Sequence, residues 1–415
     1  MGRSARIFEK TMCPRFPALH SALILSAPVI GEEQRPIFTA SNSWNEHRKQ
    51  QMYAVLRRNA SGGRAIRMMT AAILAMLILL PTLLPMLSVD WWWVRIWDFP
   101  RLQLAVADLL GLVLLWLVAD KGWERLGLTA ILGVAFLYQL TWIVPYLPLA
   151  SVQTQAASST GTNASLRIFI ANVLMTNRAA DRLRALIDHA DPDVLILTEP
   201  DAWWADQLRE LQQAFPYHIS YPLDNTYGML FYSRLPVVQS EVKFLIEPDI
   251  PSIHARLRLR SDALVELIAV HPRPPRPTVD TAARDAELIL VGHQAKSSPA
   301  PTIVVGDLND VGWSQTTRLF QKISGLLDPR RGRGLYATYH ADYPGLRYPL
   351  DHLFHSREFR LRRMAVLDHF GSDHFPLLVE LSYEPERKRE QGLPRADEAE
   401  RQQAQEKLKR IHEER

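Results

Sequence analysis

Residues 302–310 read TIVVGDLND, a β-branched apolar run that stops on Gly306 and leaves Asp307 and Asn309 just beyond it. Val/Ile runs closed by glycine predict a strand, and the end of a strand is a common mount for reactive side chains. A lone Asp or Asn in that place more often caps a turn. Here the arrangement recurs along the chain. Asn172 ends RIFIAN, Glu199 ends VLILTE and His271 ends LIAVH, while Asp351 and His352 stand in PLDHLF and Asp373 and His374 in GSDHFPLL. The strand-like runs are Leu166–Ala171, Val194–Leu197, Met229–Tyr232, Leu264–Val270, Thr302–Val305 and Pro376–Leu381. They alternate with helical spacing at Asp181–His189 and Asp285–Val291. Residues 166–384 therefore predict one α/β or α+β domain.

Upstream of this domain lie three apolar stretches, 68–87, 102–119 and 127–147, each about as long as a bilayer core requires. The second carries one acid, Asp108, close enough to its start to reach a headgroup or a partner helix. Trp91, Trp92, Trp93 and Trp97 cluster between the first two stretches, as interfacial aromatics do. The first run starts too late and is too long for a cleavable signal peptide. Residues 148–165 are small, polar and uncharged and read as a flexible linker. The segment 385–415 is rich in Glu, Arg, Lys and Gln and reads as a solvated, charged helix.

The net charge of +4 and pI near 9.1 point first toward nucleic acid. Divided by segment, residues 1–68 carry +7, 69–165 carry −1, 166–384 carry −3 and 385–415 carry +1. The excess thus precedes the first apolar run, where Arg48, Lys49, Arg57, Arg58, Arg64 and Arg67 would hold the N-terminus in the cytoplasm. Three crossings then place the domain outside it, in a multi-pass protein of the (inner) cell membrane. Residues 1–67 are expected to form a basic disordered tail, with Met52 as an alternative start. A single cysteine, Cys13, excludes a disulfide framework and a Cys-rich zinc site.

The ordered set GDLN (Gly306–Asn309), SDHFPL (Ser372–Leu377) and YSRLP (Tyr232–Pro236) resembles the endonuclease/exonuclease/phosphatase superfamily over residues 166–384. One departure is LTE, where many members have LQE; it leaves Glu199 in place. The resemblance implies a four-layer α/β (α+β) sandwich of two packed mixed sheets flanked by helices. It also implies a divalent cation, Mg2+ or Mn2+, at one edge. Attack on a phosphoester needs a hard cation, an oriented water and a stabilised leaving oxygen. By resemblance, Glu199 is the principal metal ligand with Asn172 beside it. Asp373 touches the metal through water or holds a dyad. Asp307 and Asn309 position and deprotonate the water, Asp351 orients His374 on the phosphoryl group, and His271 binds phosphate or the leaving group. Which group is the base stays open.

Weaker candidates for substrate contact are Tyr227, Asn225, Trp203, Trp204, Arg273 and Arg276. His352, His355 and His369 suit packing or surface roles. The layout is similar to a bacterial membrane-anchored branch that includes a teicoplanin-resistance membrane protein, which implies a lipid-linked phosphate or pyrophosphate and a lipid bilayer as partners. The alternative is an anchored nuclease, kept open by basic residues such as Arg330, Arg331 and Arg333. No segment points to a protein partner.

Overall fold

A computed structural model of the chain describes residues 38–158 and 161–413. Residues 1–37 of the expected tail, with Cys13, lie outside the described residues; from Phe38 onward the tail is helical rather than disordered. The chain divides into two units, one ending at Gly63 and one beginning at Arg64. In the first, Lys49 pairs with Glu46 on an exposed helical surface. The opening helices are α1 (Phe38–Leu83), α2 (Trp92–Arg95), α3 (Arg101–Val118) and α4 (Trp123–Ile143). Three of them, bounded as Trp44–Met86, Arg101–Val118 and Trp123–Tyr146, are long and apolar enough to cross a membrane.

At one end of these helices Arg67 pairs with Asp120 at 2.7 Å and Arg64 with Glu124 at 3.5 Å. At the other end Asp98 bridges the buried Arg95 (3.2 Å) and Arg101 (2.6 Å), and Gln139 links Arg101 to Thr82. Asp108 is buried against the neighbouring helices, and neither of its carboxylate oxygens has a hydrogen-bond partner among the described residues.

The domain continues as β1 (Ser165–Asn172), α5 (Ala180–Ala190), β2 (Val194–Thr198), α6 (Ala202–Gln207), α7 (Leu211–Ala214), β3 (Tyr217–Tyr221) and β4 (Met229–Ser233). Then come β5 (Val237–Lys243), β6 (Ser252–Arg258), β7 (Leu264–Ala269), α8 (Ala282–Ser297), β8 (Thr302–Asp307) and α9 (Gln315–Ser324). The chain closes with β9 (Asp351–His355), β10 (Phe359–Val366), β11 (Leu377–Tyr383) and α10 (Glu398–Glu413). One sheet has the order β10-β11-β1-β2-β4-β3 and the other β5-β6-β7-β8-β9. Both are mixed, with β1–β2 and β7–β8 parallel and every other pair antiparallel.

The period-two alternation of strand side chains sorts the core into layers. Leu166, Ile168 and Ile170 of β1 and Ile303 and Val305 of β8 meet between the sheets. Phe169 and Ala171 turn instead to α5, and Val304 turns to α8. Because both faces of the central strands are buried, their sequences read as unbroken apolar runs.

The segments flanking the domain are bound to it. Residues expected as a free linker lie along β10: Ala157 N–H donates to Leu361 O, Leu361 N–H donates to Gln155 O, and the buried Thr154 contacts His355 Nε2 at 2.9 Å. An edge strand exposes unpaired backbone groups, and this stretch covers one. Helix α10 is not solvated either. Ala404, Leu408 and Ile411, at helical spacing, pack against Ile289, Leu319, Ile323 and Ala286. Lys407 Nζ bridges Asp285 (2.8 Å) and Asp90 (2.6 Å), and Arg410 also reaches Asp90. The high charge of the segment hides a narrow apolar stripe.

The domain rests on the end of the apolar helices that carries Asp98. Trp313 Nε1 donates to Asp98 O, Tyr146 OH to Gly312 O, Gln315 to Pro85 O, and Gln103 Nε2 to Gly345 O.

Candidate active site

The site is where the core between the sheets changes from apolar to polar. Following the inward parity, Ile170 is succeeded by Asn172, Ala269 by His271 and Val305 by Asp307, while Leu353 is preceded by Asp351. Register aligns Asp307 with Asp351 and Asn172 with Thr198, next to Glu199. Gly306 makes the bend possible. Its φ is +138° and an added Cβ would lie 2.0 Å from Val270 O, so no other residue fits there.

Asn172 Nδ2 donates to Glu199 Oε1 at 2.7 Å and to Asp307 Oδ2 at 3.1 Å. His271 Nε2 lies 3.9 Å from Asp307 Oδ2 and 4.0 Å from Glu199 Oε1. His374 has Nε2 3.6 Å from Asp307 Oδ2 and Nδ1 2.8 Å from Asp351 Oδ2. Asn309 N–H donates to Asp307 Oδ1, and its side chain donates to Pro272 O, which fixes the turn after β8. Ser372 Oγ donates to Asn172 O and accepts from His374 N–H, joining the SDHFPL loop to β1.

Burial pushes Glu199 up to about 7, with the charge of Asp307 adding to it against the Asn172 hydrogen bond. Asp307 is also raised, first by burial and then by Asp351. Burial alone would lower His374, but Asp351 and Asp307 outweigh it and hold the imidazolium up to about 10. His271 is driven down to about 4 by burial and remains neutral.

These groups fit a divalent cation. Glu199 and Asp307, both raised, crowd negative charge into a buried space, and hard oxygen donors are what Mg2+ or Mn2+ takes. Asp307, Asp351 and His374 also bring one possible ligand atom each within 4.8 Å of one another. In that trio, however, His374 Nδ1 is bonded to Asp351 and the ring is protonated, so the Glu199–Asp307 pair is the better ligand set. Asn172 differs from the expectation of a metal ligand. Leu174 N–H occupies its Oδ1, so it turns hydrogens, not an oxygen, toward the carboxylates.

Asp373 lines the groove over the site, and its charge raises both Glu199 and His374. Tyr227 is buried with its ring 5.6 Å from that of His271, where it supports the histidine. Arg273 lies over the Tyr227 ring at 5.6 Å, behind His271, with Glu247 holding its guanidinium at 2.9 Å and Asp249 at 3.6 Å. Asn225 accepts from Tyr227 N–H in a local turn. Trp204 is fully buried behind β2, and Trp203 lies under Arg178. His352 is buried between Arg330 and Asp310 O, and His369 holds Ser372 O.

The supposed basic patch is internal or tied down. Arg330 is fully buried against Asp328, Arg331 reaches Gln321, and Arg333 reaches Pro329 O and Thr154 O.

Two contributors were not legible in the sequence. Tyr339 packs on His374 with ring centres 4.9 Å apart and the rings tilted by 50°, from a loop without periodicity. Ile96, Trp97, Phe99 and Pro100, between α1 and α3, line the same groove as Glu199, Asp373 and His374. The only signal for them was the aromatic density of WWWVRIWDF, which reads equally well as an interfacial belt.

Residues 170–374 match the Endonuclease/Exonuclease/phosphatase family model. Among solved structures, the chain is similar to D. rerio TDP2 complexed with a single-strand DNA product: 18% identity, TM-score 0.46, covering 53% of this chain and 99% of that one. The human Nocturnin catalytic domain with bound sulfate is 17% identical, TM-score 0.44, with 53% and 95% covered. A Bacteroides thetaiotaomicron mannosyl-6-phosphatase is 19% identical, TM-score 0.45, with 52% and 100% covered. No curated protein matches the sequence.

Proposed function

We propose that this chain, whose residues 170–374 belong to the Endonuclease/Exonuclease/phosphatase family, is a membrane-anchored, Mg2+- or Mn2+-dependent phosphoester hydrolase acting on the phosphate or pyrophosphate of a lipid. One observation carries the reading. The groove that ends on Glu199, Asp373 and His374 is walled on its other side by residues between the first two apolar helices. This supports a reading in which the active site lies at the level of a lipid headgroup. The nuclease alternative loses its main support, since Arg330, Arg331 and Arg333 are engaged within the fold.

Glu199 and Asp307 would hold the cation, with Asp373 beside them. When bound, it would offset charge on the phosphoryl oxygens. Asp307, sharing its charge between the cation and the attacking water, would orient that water and take its proton as the new P–O bond forms and the bond to the leaving oxygen breaks. The His374 imidazolium, held by Asp351, donates to a phosphoryl oxygen and stabilises the charge that accumulates there. Neutral His271, seated on Tyr227, contributes an N–H toward the same space. Asn172 keeps the two carboxylates at a fixed separation.

The orientation rests on the positive residues before Met68, which favour a cytoplasmic N-terminus and an extracytoplasmic domain. The test is phosphate release from a polyprenyl pyrophosphate by the full chain in liposomes, with Mg2+ or with EDTA, compared with cleavage of DNA and RNA. Release that needs Mg2+ and is lost in Asp307→Ala supports the proposal. Mg2+-dependent nucleic-acid cleavage without phosphate release from the lipid overturns it. A reporter after residue 384 that works only in the cytoplasm would reverse the orientation.

A further inference from the structure

We infer that the segment Ile96–Pro100 forms one half of a binding groove for the hydrocarbon chain of the substrate, which enters sideways from the bilayer, and that Ile96 and Trp97 select for chain length. This rests on the lipid-phosphate reading above and adds the residues that would recognise the apolar part.

The groove encloses about 620 Å³, within the roughly 300–1,000 Å³ usual for a small-molecule site. Its inner end is polar, at Glu199, Asp373 and His374, and the rest is lined mainly by apolar and aromatic side chains. Such polarity suits an amphiphile with its phosphate inward and its chain outward. A nucleic-acid strand carries a phosphate at every step and would need charge along the whole path.

Both walls are tied to the apolar helices. On one side, Asp98 is clamped between Arg95 and Arg101, and its carbonyl accepts from Trp313, so Ile96–Phe99 is held in place before any ligand arrives. Phe99 meets Tyr348 edge-on across the floor, with ring centres 5.8 Å apart. On the other side, the Tyr343–Leu346 loop is anchored where Gln103 of α3 donates to Gly345 O. The rim exposes Ile96 at 39%, Leu346 at 52% and Tyr343 at 58%. Apolar side chains are thus exposed on both lips, at the end of helices long enough to cross a membrane. Exposed apolar surface of this kind marks a place that meets lipid or ligand. A hydrocarbon chain passing between the lips covers it and continues into the bilayer.

The experiment uses the full chain in mixed micelles with two probes, a long-chain polyprenyl pyrophosphate and water-soluble dimethylallyl pyrophosphate. The readout is the ratio of their kcat/KM values. Adding or removing one methylene's worth of contact in a fitted apolar pocket alters selectivity about 10- to 200-fold. Ile96→Ser and Trp97→Ala are therefore expected to lower the long-to-short ratio by about tenfold or more. Trp97→Phe, which keeps an aromatic wall, should hold the ratio to within about threefold. A ratio unchanged in Ile96→Ser and Trp97→Ala, whether or not both rates fall, overturns the chain-groove assignment and leaves the lipid-phosphate function standing. If the unaltered chain releases phosphate from neither probe, the underlying function has failed instead.

Discussion

Glu287, on α8, is buried and its Oε1 has no hydrogen-bond partner among the described residues. Burial pushes its carboxyl from 4.5 up to about 8, and the negative charge of Glu247 adds to the effect. The unfolded chain releases this proton above about pH 4.5, whereas the folded chain keeps it until about pH 8. Stability from this group is therefore complete below the unfolded value, falls as pH rises between the two, and is flat above the folded one. Over that interval the loss is on the order of 5 kcal/mol. Glu287→Gln keeps the shape and cannot ionise. Thermal unfolding of the detergent-solubilised chain, followed by tryptophan fluorescence, reports on the domain through the buried Trp204 and Trp313. At pH 9 the variant should unfold on the order of 10 °C higher than the parent, with the gap closing by pH 5. An identical pH slope in both proteins, or a gap largest at pH 5, refutes the assignment of a neutral buried carboxyl.

Other outcomes follow from the site and its supports. Asp351→Asn removes the charge that holds the His374 imidazolium, and kcat should fall about 100-fold or more with KM changed much less. Lys407→Met removes the cation shared by Asp285 and Asp90, leaving Arg284 on the first and Arg410 on the second. A cost of about 3–5 kcal/mol is expected, read as a lower thermal midpoint and faster proteolysis of the C-terminal helix, and Asp285→Asn in the same chain should recover part of it. Millimolar Mg2+ should raise the thermal midpoint of the parent chain, by about 2–3 kcal/mol of added stability if free cation exceeds its dissociation constant about 100-fold. In Glu199→Gln that gain should shrink or vanish.

The parts of the fold that were legible in the sequence share one physical cause. Central strands buried on both faces must be apolar throughout, so Leu166–Ala171 and Thr302–Val305 announce themselves without help from tertiary structure. The same parity carried the inward positions two residues further, to Asn172, His271 and Asp307. What escaped depends on partners distant in the chain. Arg273 has the right chemistry for phosphate, but Glu247 lies 26 residues earlier and takes it. Arg330 resembled a surface cation until Asp328 and the His352 ring closed over it. Tyr339 sits on a loop with no period to read. Helix α10 was obscured because three apolar positions suffice to dock a helix whose other faces are charged.

The stretch running from Thr154 to Ser158 along the β10 edge also governs where the enzyme can work. That stretch is secured to Leu361 and Glu384 and α10 is joined to Asp90, so among the described residues the domain is held at both of its flanks. Held in this way, its site would stay at one height above the helices. On the proposed function, encounters with substrate then become a search in two dimensions. Turnover would scale with the mole fraction of substrate in the bilayer and not with its bulk concentration, so diluting the vesicles at constant composition should leave the rate per enzyme unchanged.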